Sequence, residues 1–137
     1  MIDYVLGFAF DEKGQNVVLI KKAKPAWQAG RYNAVGGKIE IGESPIQAMQ
    51  REFREETGVS ISGWKQTAVL TGFDWKVHVF RTFGGIDKIS SPTEEPVSAF
   101  AVNNLPTNAI SNLKWLVPLN LDQKGGIDFP VEIRYSK

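Results

Sequence analysis

Residues 37–59 contain side chains whose types and spacing are suited to catalysis. The stretch reads GKIEIGESPIQAMQREFREETGV, and its charged residues at fixed spacing are Glu43, Arg51, Glu52, Glu55 and Glu56. Carboxylates are hard oxygen ligands, which suit Mg²⁺ or Mn²⁺ better than zinc or copper. Protein-bound Mg²⁺ is usually shared with substrate phosphates. The stretch therefore predicts metal-assisted attack of water on a pyrophosphate bond.

A helix over residues 45–57 is predicted to position these charges. Ser44 is a favourable N-cap, and Pro45 fits the first helical position. Gln47, three residues after Ser44, completes a capping box. Gly58 fits the left-handed position that follows a helix.

The predicted helix has an apolar side and an acidic side. At about 100° per residue, Ile46, Met49 and Phe53 cluster on one side, and we expect them to face a sheet. The three helix glutamates follow at spacing i, i+3 and i+4 on an adjacent stripe. Like charges at this spacing destabilise a helix unless a cation neutralises them. The stripe therefore favours a cation site over a solvated acidic surface.

The whole stretch follows the pattern G-x5-E-x7-R-E-U-x-E-E-x-G-U, where U is a bulky apolar residue. This pattern resembles the Nudix box, the signature of the Nudix hydrolases, at every specified position. One mild departure is Phe53, which is larger than the usual aliphatic residue. The resemblance implies the Nudix fold, an α/β/α sandwich with a mixed sheet between helices. It also implies a pyrophosphohydrolase that uses Mg²⁺, with Mn²⁺ as the alternative.

The resemblance assigns roles to individual residues. It implies that metal is held by Glu52, Glu55 and Glu56, with the carbonyl of Gly36 completing the shell. The general base varies within the family, and it is either a box glutamate or a carboxylate from a later loop, where Glu95 aligns better than its neighbour. The implied catalytic set is Arg51, Glu52, Glu55, Glu56 and Glu95. In that set the arginine pairs with the box glutamates, including Glu43, and holds them in place.

Outside the box, residues 29–38 (AGRYNAVGGK) resemble a segment of the MutT-homologue branch, which includes oxidised-purine nucleoside triphosphatases. The resemblance implies a substrate-binding set of Trp27, Asn33, Lys38, Trp75 and Asn112. From its position in a loop, Trp27 is expected either to stack on a base or to pack on the sheet. The branch's two base-reading aspartates fall near Ser111 and Asn112, so this chain offers a different donor pattern to the base.

Three functions follow from this resemblance. The leading one is hydrolysis of a nucleoside triphosphate, such as 8-oxo-dGTP, to a nucleoside monophosphate and pyrophosphate. The alternatives are hydrolysis of a nucleoside diphosphate conjugate, such as a nucleotide sugar, and a non-catalytic module that binds nucleotides. Ordinary purine and pyrimidine triphosphates remain open as substrates.

Apolar patterning predicts the elements that surround the box. Continuous burial on both faces is expected for residues 17–20, an unbroken apolar run. A second helix is expected over residues 108–121, with Pro118 ending or kinking it. Strands are expected at residues 3–10, 16–21, 34–37, 62–71, 73–83, 97–102 and 127–135, the last at a sheet edge because it contains Pro130.

Composition limits the function classes. The chain has 137 residues, which favours one domain over residues 1–137. Its net charge of +1 gives no global field that points to nucleic acid or a membrane. With no cysteine and one histidine, it cannot build the common zinc sites. We expect a cytoplasmic protein without a signal peptide, a monomer or homodimer, whose partner is a small nucleotide.

Overall fold

A computed structural model describes residues 1–136 of the chain. Within them, one eight-stranded mixed sheet is accompanied by two α-helices and a short 3-10 helix, Ala26–Gln28. None of the helices in this range is long and apolar enough to cross a membrane. The strands are β1 (Ile2–Phe10), β2 (Asn16–Lys21), β3 (Tyr32–Asn33), β4 (Val35–Lys38), β5 (Lys65–Thr71), β6 (Trp75–Phe83), β7 (Val97–Ala101) and β8 (Val131–Arg134); the α-helices are α1 (Pro45–Thr57) and α2 (Leu113–Leu121).

Strand β1 is the centre of the sheet. The strands follow the order β3-β2-β1-β6-β5-β8, while β4 also pairs with β1 and β7 with β2. Along its whole length β1 runs parallel to β6, from the pair Ile2 and Trp75 to the pair Phe10 and Phe83. Its pairing with β4 is antiparallel and matches Leu6 with Gly36. The glycine pair that precedes the box is thereby fixed to the most central strand.

The core lies on both faces of the sheet, as β2 shows. Val17 and Leu19 are buried in the cluster that includes α2, whereas Val18 and Ile20 are buried in the cluster that includes α1. The predicted burial of this run on both faces is therefore confirmed. So is the predicted α/β/α sandwich, because each apolar face of the sheet has its own helix.

Helix α1 has the predicted boundaries and caps. The Ser44 hydroxyl accepts a hydrogen bond from the Gln47 backbone N–H at 3.3 Å, and the Gln47 side chain accepts one from the Ser44 N–H at 2.9 Å. Gly58 follows the helix with a φ of 77°, in the left-handed region that favours glycine. Local residue types were therefore sufficient to predict both ends of this helix.

The predicted apolar face of α1 is only partly right. Met49 and Phe53 are fully buried against the sheet, but Ile46 is 40% exposed. The buried stripe follows i, i+4 spacing from Met49 through Phe53 to Thr57, so Ile46 lies to one side of it. Ala48 is buried in its place.

Helix α2 begins later than predicted. Residues 108–112 do not form its first turn, because their backbone pairs with β3 instead. The Tyr32 N–H donates to the Asn108 carbonyl at 3.2 Å, and the Ile110 N–H donates to the Tyr32 carbonyl at 2.8 Å. Pro118 does not end the helix, which continues to Leu121.

All predicted strands are present, most within two residues of the expected bounds, while the short β3 was not predicted. The predicted strand at 62–71 begins only at Lys65, after Gly63, whose φ of 81° is incompatible with a regular strand. The predicted strand at 127–135 is reduced to β8, which does lie at an edge of the sheet.

Two substitutions in α1 test this placement by their effect on stability. Phe53→Ala removes a fully buried ring and is expected to lower the free energy of unfolding by about 3–5 kcal/mol. Ile46→Ala, on the exposed side of the same helix, should change it by less than about 1 kcal/mol. Urea unfolding followed by circular dichroism measures both. Equal losses would contradict the placement of the helix.

Candidate active site

The site begins where α1 packs against the glycines of β4. A Cβ atom added to Gly37 would overlap the carboxylate of Glu52, and one added to Gly36 would collide with the carbonyl of Val5 in β1. Only glycine therefore lets β4 lie between β1 and the helix at this distance. The glycine pair allows the Glu52 carboxylate to lie directly against the β4 backbone.

The guanidinium of Arg51 organises the acidic side chains around it. It grips Glu43 with two bonds, from Nε to Oε2 at 2.6 Å and from Nη2 to Oε1 at 3.0 Å. Nη1 donates to Glu52 Oε2 at 3.2 Å and to Glu55 Oε1 at 3.1 Å, while Nη2 also reaches the carbonyl of Lys38 at 3.1 Å. One cation thus joins the loop before α1 to two glutamates of the helix. The geometry matches the positioning role that the sequence predicts for this arginine.

The pKa values of the carboxyl groups differ according to their surroundings. Burial raises the pKa of Glu52 to about 7; Arg51 opposes the rise, and the charges of neighbouring glutamates add to it. Burial, followed by the charge of Glu95, also raises the pKa of Glu56. By contrast, hydrogen bonds from Arg51 lower the pKa of Glu43. The cluster therefore has more negative charge than its own arginine neutralises.

The predicted metal ligands are near one another but are not gathered around one point. Across residues 1–136, no three histidine, aspartate or glutamate side chains are close enough together to hold a metal ion. Arg51 draws Glu52 and Glu55 towards itself, while Glu56 Oε2 accepts a hydrogen bond from the Thr93 hydroxyl at 3.4 Å. Metal ligation therefore stays a prediction for Gly36, Glu52, Glu55 and Glu56.

In its chemistry, this donor set fits a hard divalent cation. It offers carboxylate oxygens and a backbone carbonyl, which Mg²⁺ and Mn²⁺ prefer. A bound cation would also offset the like charges that raise the pKa of Glu52.

Glu95 lies beside the cluster and is turned towards another loop. It is only 6% exposed, and its Oε1 pairs with Lys22 Nζ at 3.2 Å. Its Oε2 accepts hydrogen bonds from the backbone N–H groups of Ala23 at 2.6 Å and Lys24 at 3.4 Å. Burial alone would raise the pKa of Glu95, but these contacts outweigh it and lower the pKa. No sequence pattern pairs Lys22 with Glu95, because the contact joins two loops that are far apart in the chain.

Two of the predicted substrate-binding residues, Trp27 and Asn33, lie in the segment that follows β2. Trp27, on the 3-10 helix, is 65% exposed, so the expectation that it packs on the sheet is wrong. Asn33 Nδ2 donates to Gln28 Oε1 at 2.9 Å, and its Oδ1 accepts from the Ala34 N–H at 2.8 Å. A third, Lys38, has an exposed side chain near the box.

Two other predicted residues meet on the α2 side of the sheet through Tyr135, which sequence reasoning did not single out. The rings of Trp75 and Tyr135 are 5.3 Å apart, and the Tyr135 hydroxyl accepts a hydrogen bond from Asn112 Nδ2 at 3.2 Å. Asn112 Oδ1 is buried and has no hydrogen-bond partner among the described residues. Nothing in the sequence pattern around Tyr135 indicated that it contacts Trp75 and Asn112.

The raised pKa of Glu52 predicts how stability depends on pH without metal. Because its pKa rises from 4.5 to about 7 on folding, its contribution is full below pH 4.5 and is lost as the pH rises through 7. The loss is about 3 kcal/mol. Glu43 acts in the opposite sense, since its lowered pKa removes stability only as the pH falls below its usual 4.5.

Urea unfolding in EDTA at pH 5 and pH 8 measures this dependence. The wild type should be less stable at pH 8, and Glu52→Gln should show a smaller difference. What difference remains in that variant combines Glu56, whose pKa is also raised, with His78, whose pKa burial lowers and which acts in the opposite sense. An equal difference in both proteins would show that Glu52 does not titrate in this range.

Comparisons with known proteins agree with this geometry. The NUDIX domain family model matches residues 3–125. The chain is 27% identical to the oxidized purine nucleoside triphosphate hydrolase of Danio rerio, over 78% of this chain and 73% of that protein. It is 38% identical to the 8-oxo-dGTP diphosphatase of Escherichia coli (strain K12), over 35% of this chain and 37% of that protein.

The fold of a solved structure also agrees. A NUDIX hydrolase from Nitrosomonas europaea superposes with a TM-score of 0.80 at 20% identity, covering 99% of this chain and 79% of that chain. Together these matches confirm the predicted family, fold and enzyme class, that of the Nudix pyrophosphohydrolases. Because the family model matches residues 3–125, which include the box and most of the sheet, this chain belongs to the Nudix family.

Proposed function

We propose that this chain hydrolyses a nucleoside triphosphate to a nucleoside monophosphate and pyrophosphate with Mg²⁺ as its cofactor, or Mn²⁺ in its place. The observation that supports this most directly is the glutamate cluster that Arg51 holds against the glycines of β4. The similar proteins of Danio rerio and Escherichia coli, an oxidized purine nucleoside triphosphate hydrolase and an 8-oxo-dGTP diphosphatase, support the same class of substrate, a purine nucleoside triphosphate.

In this proposal, Glu52, Glu55 and Glu56 and the carbonyl of Gly36 would hold the metal. When bound, the cation neutralises phosphate charge, orients the anhydride and lowers the pKa of water. Arg51 keeps Glu52 and Glu55 oriented, because both bond to the same Nη1. Its two bonds to Glu43 fix the guanidinium plane, so the helix carboxylates cannot turn independently.

Base recognition is assigned to the residues on the loop after β2 and on the α2 side. The exposed ring of Trp27 offers a face on which a base stacks. Asn33 and Asn112 offer amide groups that both donate and accept hydrogen bonds. The hydrogen-bonding pattern of an amide does not depend on protonation, whereas that of a pair of carboxylates does. Ordinary purines and pyrimidines are therefore tested together with 8-oxoguanine.

The deciding experiment is a substrate panel with Mg²⁺. It contains 8-oxo-dGTP, the four dNTPs, ADP-ribose and nucleotide sugars, and the products are separated by ion-exchange chromatography. We expect a monophosphate and pyrophosphate from at least one triphosphate, and no turnover in EDTA. Cleavage of only ADP-ribose or a nucleotide sugar would overturn the proposal.

A single substitution tests the role of the helix carboxylates. Glu56→Gln keeps the shape of the side chain but removes the charge of a predicted ligand, so we expect kcat to fall by at least about a hundredfold. Glu132→Gln removes a charge from an exposed position on β8 and should leave kcat within about twofold. In EDTA, Glu132→Gln should unfold at the same temperature as the wild type, and Glu56→Gln at the same or a higher temperature, because it removes a charge that burial disfavours. Activity like the wild type in Glu56→Gln would contradict the assignment.

A further inference from the structure

Two loops that contribute to opposite ends of the proposed substrate meet at one buried carboxylate. Glu95 belongs to the loop between β6 and β7, whereas Lys22, Ala23 and Lys24 begin the loop after β2. The side chains of Lys22 and Glu95 are only 18% and 8% exposed. Charge-assisted bonds in so protected a place hold their partners more firmly than surface pairs do. We call these four residues the Glu95 clasp.

Both oxygens of Glu95 are already engaged in the clasp. Oε1 faces the Lys22 ammonium at 3.2 Å, and Oε2 faces the Ala23 N–H at 2.6 Å. Three donors do not fill every acceptor site of a carboxylate, but they stabilise its charged form and make it a weaker proton acceptor. The contacts of Glu95 therefore favour a structural role over that of a general base.

On one side, the clasp anchors the base-side loop, residues 22–33. The Lys22 N–H donates to the Arg31 carbonyl at 2.8 Å, and the Gly30 N–H donates to the Lys22 carbonyl at 2.7 Å, so Lys22 closes the neck of this loop. The loop carries Trp27 at its exposed tip and ends at Asn33, which pairs with Ile20 of β2. The position of Trp27 therefore depends on where Lys22 is held, whereas Asn33 is also held by the sheet.

On the other side, the clasp reaches the glutamates of α1. The Glu95 N–H donates to the Thr93 hydroxyl at 3.1 Å, and that hydroxyl donates to Glu56 Oε2 at 3.4 Å. A continuous path of polar contacts therefore runs from Glu56 through Thr93 and Glu95 to Lys22.

From this geometry we propose that Lys22 and Glu95 are positioning residues that fix the base-side loop relative to the α1 glutamates. Their function is to set substrate affinity and not to break the bond. This inference rests on the proposed hydrolysis of a nucleoside triphosphate. It replaces the expectation that Glu95 serves as the general base.

A double-mutant cycle with Lys22→Met, Glu95→Gln and the combination tests the proposal kinetically. Glutamine has one acceptor oxygen and no charge, so it loses the ion pair with Lys22 and holds the Ala23 N–H more weakly than the carboxylate does. Each single variant should raise KM about tenfold with kcat within about threefold, and the double variant should be no worse than the worse single one, because both lose one interaction. Glu94→Gln is the matched control, since it removes a charge from the exposed neighbour.

The pH profile separates positioning from base catalysis. In Glu95→Gln the acid limb of the kcat/KM profile should keep its midpoint. Loss of that limb together with a fall in kcat of a hundredfold or more would identify Glu95 as the base and overturn the proposal. If the increase in KM of the double variant equals the product of the two single increases, the two residues act independently. That result would also overturn the proposal.

A second measurement does not depend on activity. Amide hydrogen exchange followed by NMR should show at least about tenfold faster exchange at Ala23 and Lys24 in Glu95→Gln and Lys22→Met, and no change in Glu94→Gln. Unchanged exchange in the first two variants would overturn the clasp even if a triphosphate is hydrolysed. If exchange is faster but the protein hydrolyses no triphosphate, the Glu95 clasp is supported and the proposed function is wrong.

Discussion

The arrangement of the site depends on one guanidinium that contacts three carboxylates at once. Arg51 is bonded to Glu43, Glu52 and Glu55, and its own side chain is only 15% exposed. Without this cation, the helix glutamates would repel one another in a partly buried place. A lysine could not replace it, because a single ammonium cannot present the planar fork that grips Glu43 with two bonds while Nη1 reaches the helix.

That contact is made possible by the fit between a helix and a strand. Gly37 in β4 has no side chain that would push Glu52 of α1 away from the strand, and Gly36 has none that would push β4 away from β1. The fully buried Met49 and Phe53 then fix the rotation of the helix, so its glutamates emerge beside the strand. Packing of apolar residues thus determines where the charges lie, while the capping groups determine only where the helix begins and ends.

Sequence reasoning succeeded where structure is determined locally. The caps of α1, the burial of β2 on both faces and the edge position of β8 all follow from short patterns of residue types. It failed where distant segments compete for the same groups. The turn at 108–112 has a helical pattern, yet β3 takes its backbone hydrogen bonds. Ile46 was expected to face the sheet. A stripe of residues at i, i+4 spacing turns slowly around a helix, and Ile46 lies to one side of it.

The same limit applied to the site. The resemblance to the Nudix box implied roles for the helix carboxylates and for the arginine that contacts them. Lys22 and its partner Glu95 are 73 residues apart in the chain, and Tyr135 and its partner Asn112 are 23 apart. Only the folded topology brings these pairs together. The sequence did not decide whether Trp27 packs on the sheet or is exposed, because an aromatic residue in a loop is compatible with both.

The division of the core by the sheet has a consequence for how such a protein can change. The glutamates belong to the α1 layer, while Trp75 and Asn112 belong to the α2 layer, with the sheet between them. Under the proposed function, the layer that cleaves and the layer that recognises the base share few side chains. Substitutions in the second layer can then accumulate without disturbing the first. A fold divided in this way can acquire a new substrate while it keeps one reaction.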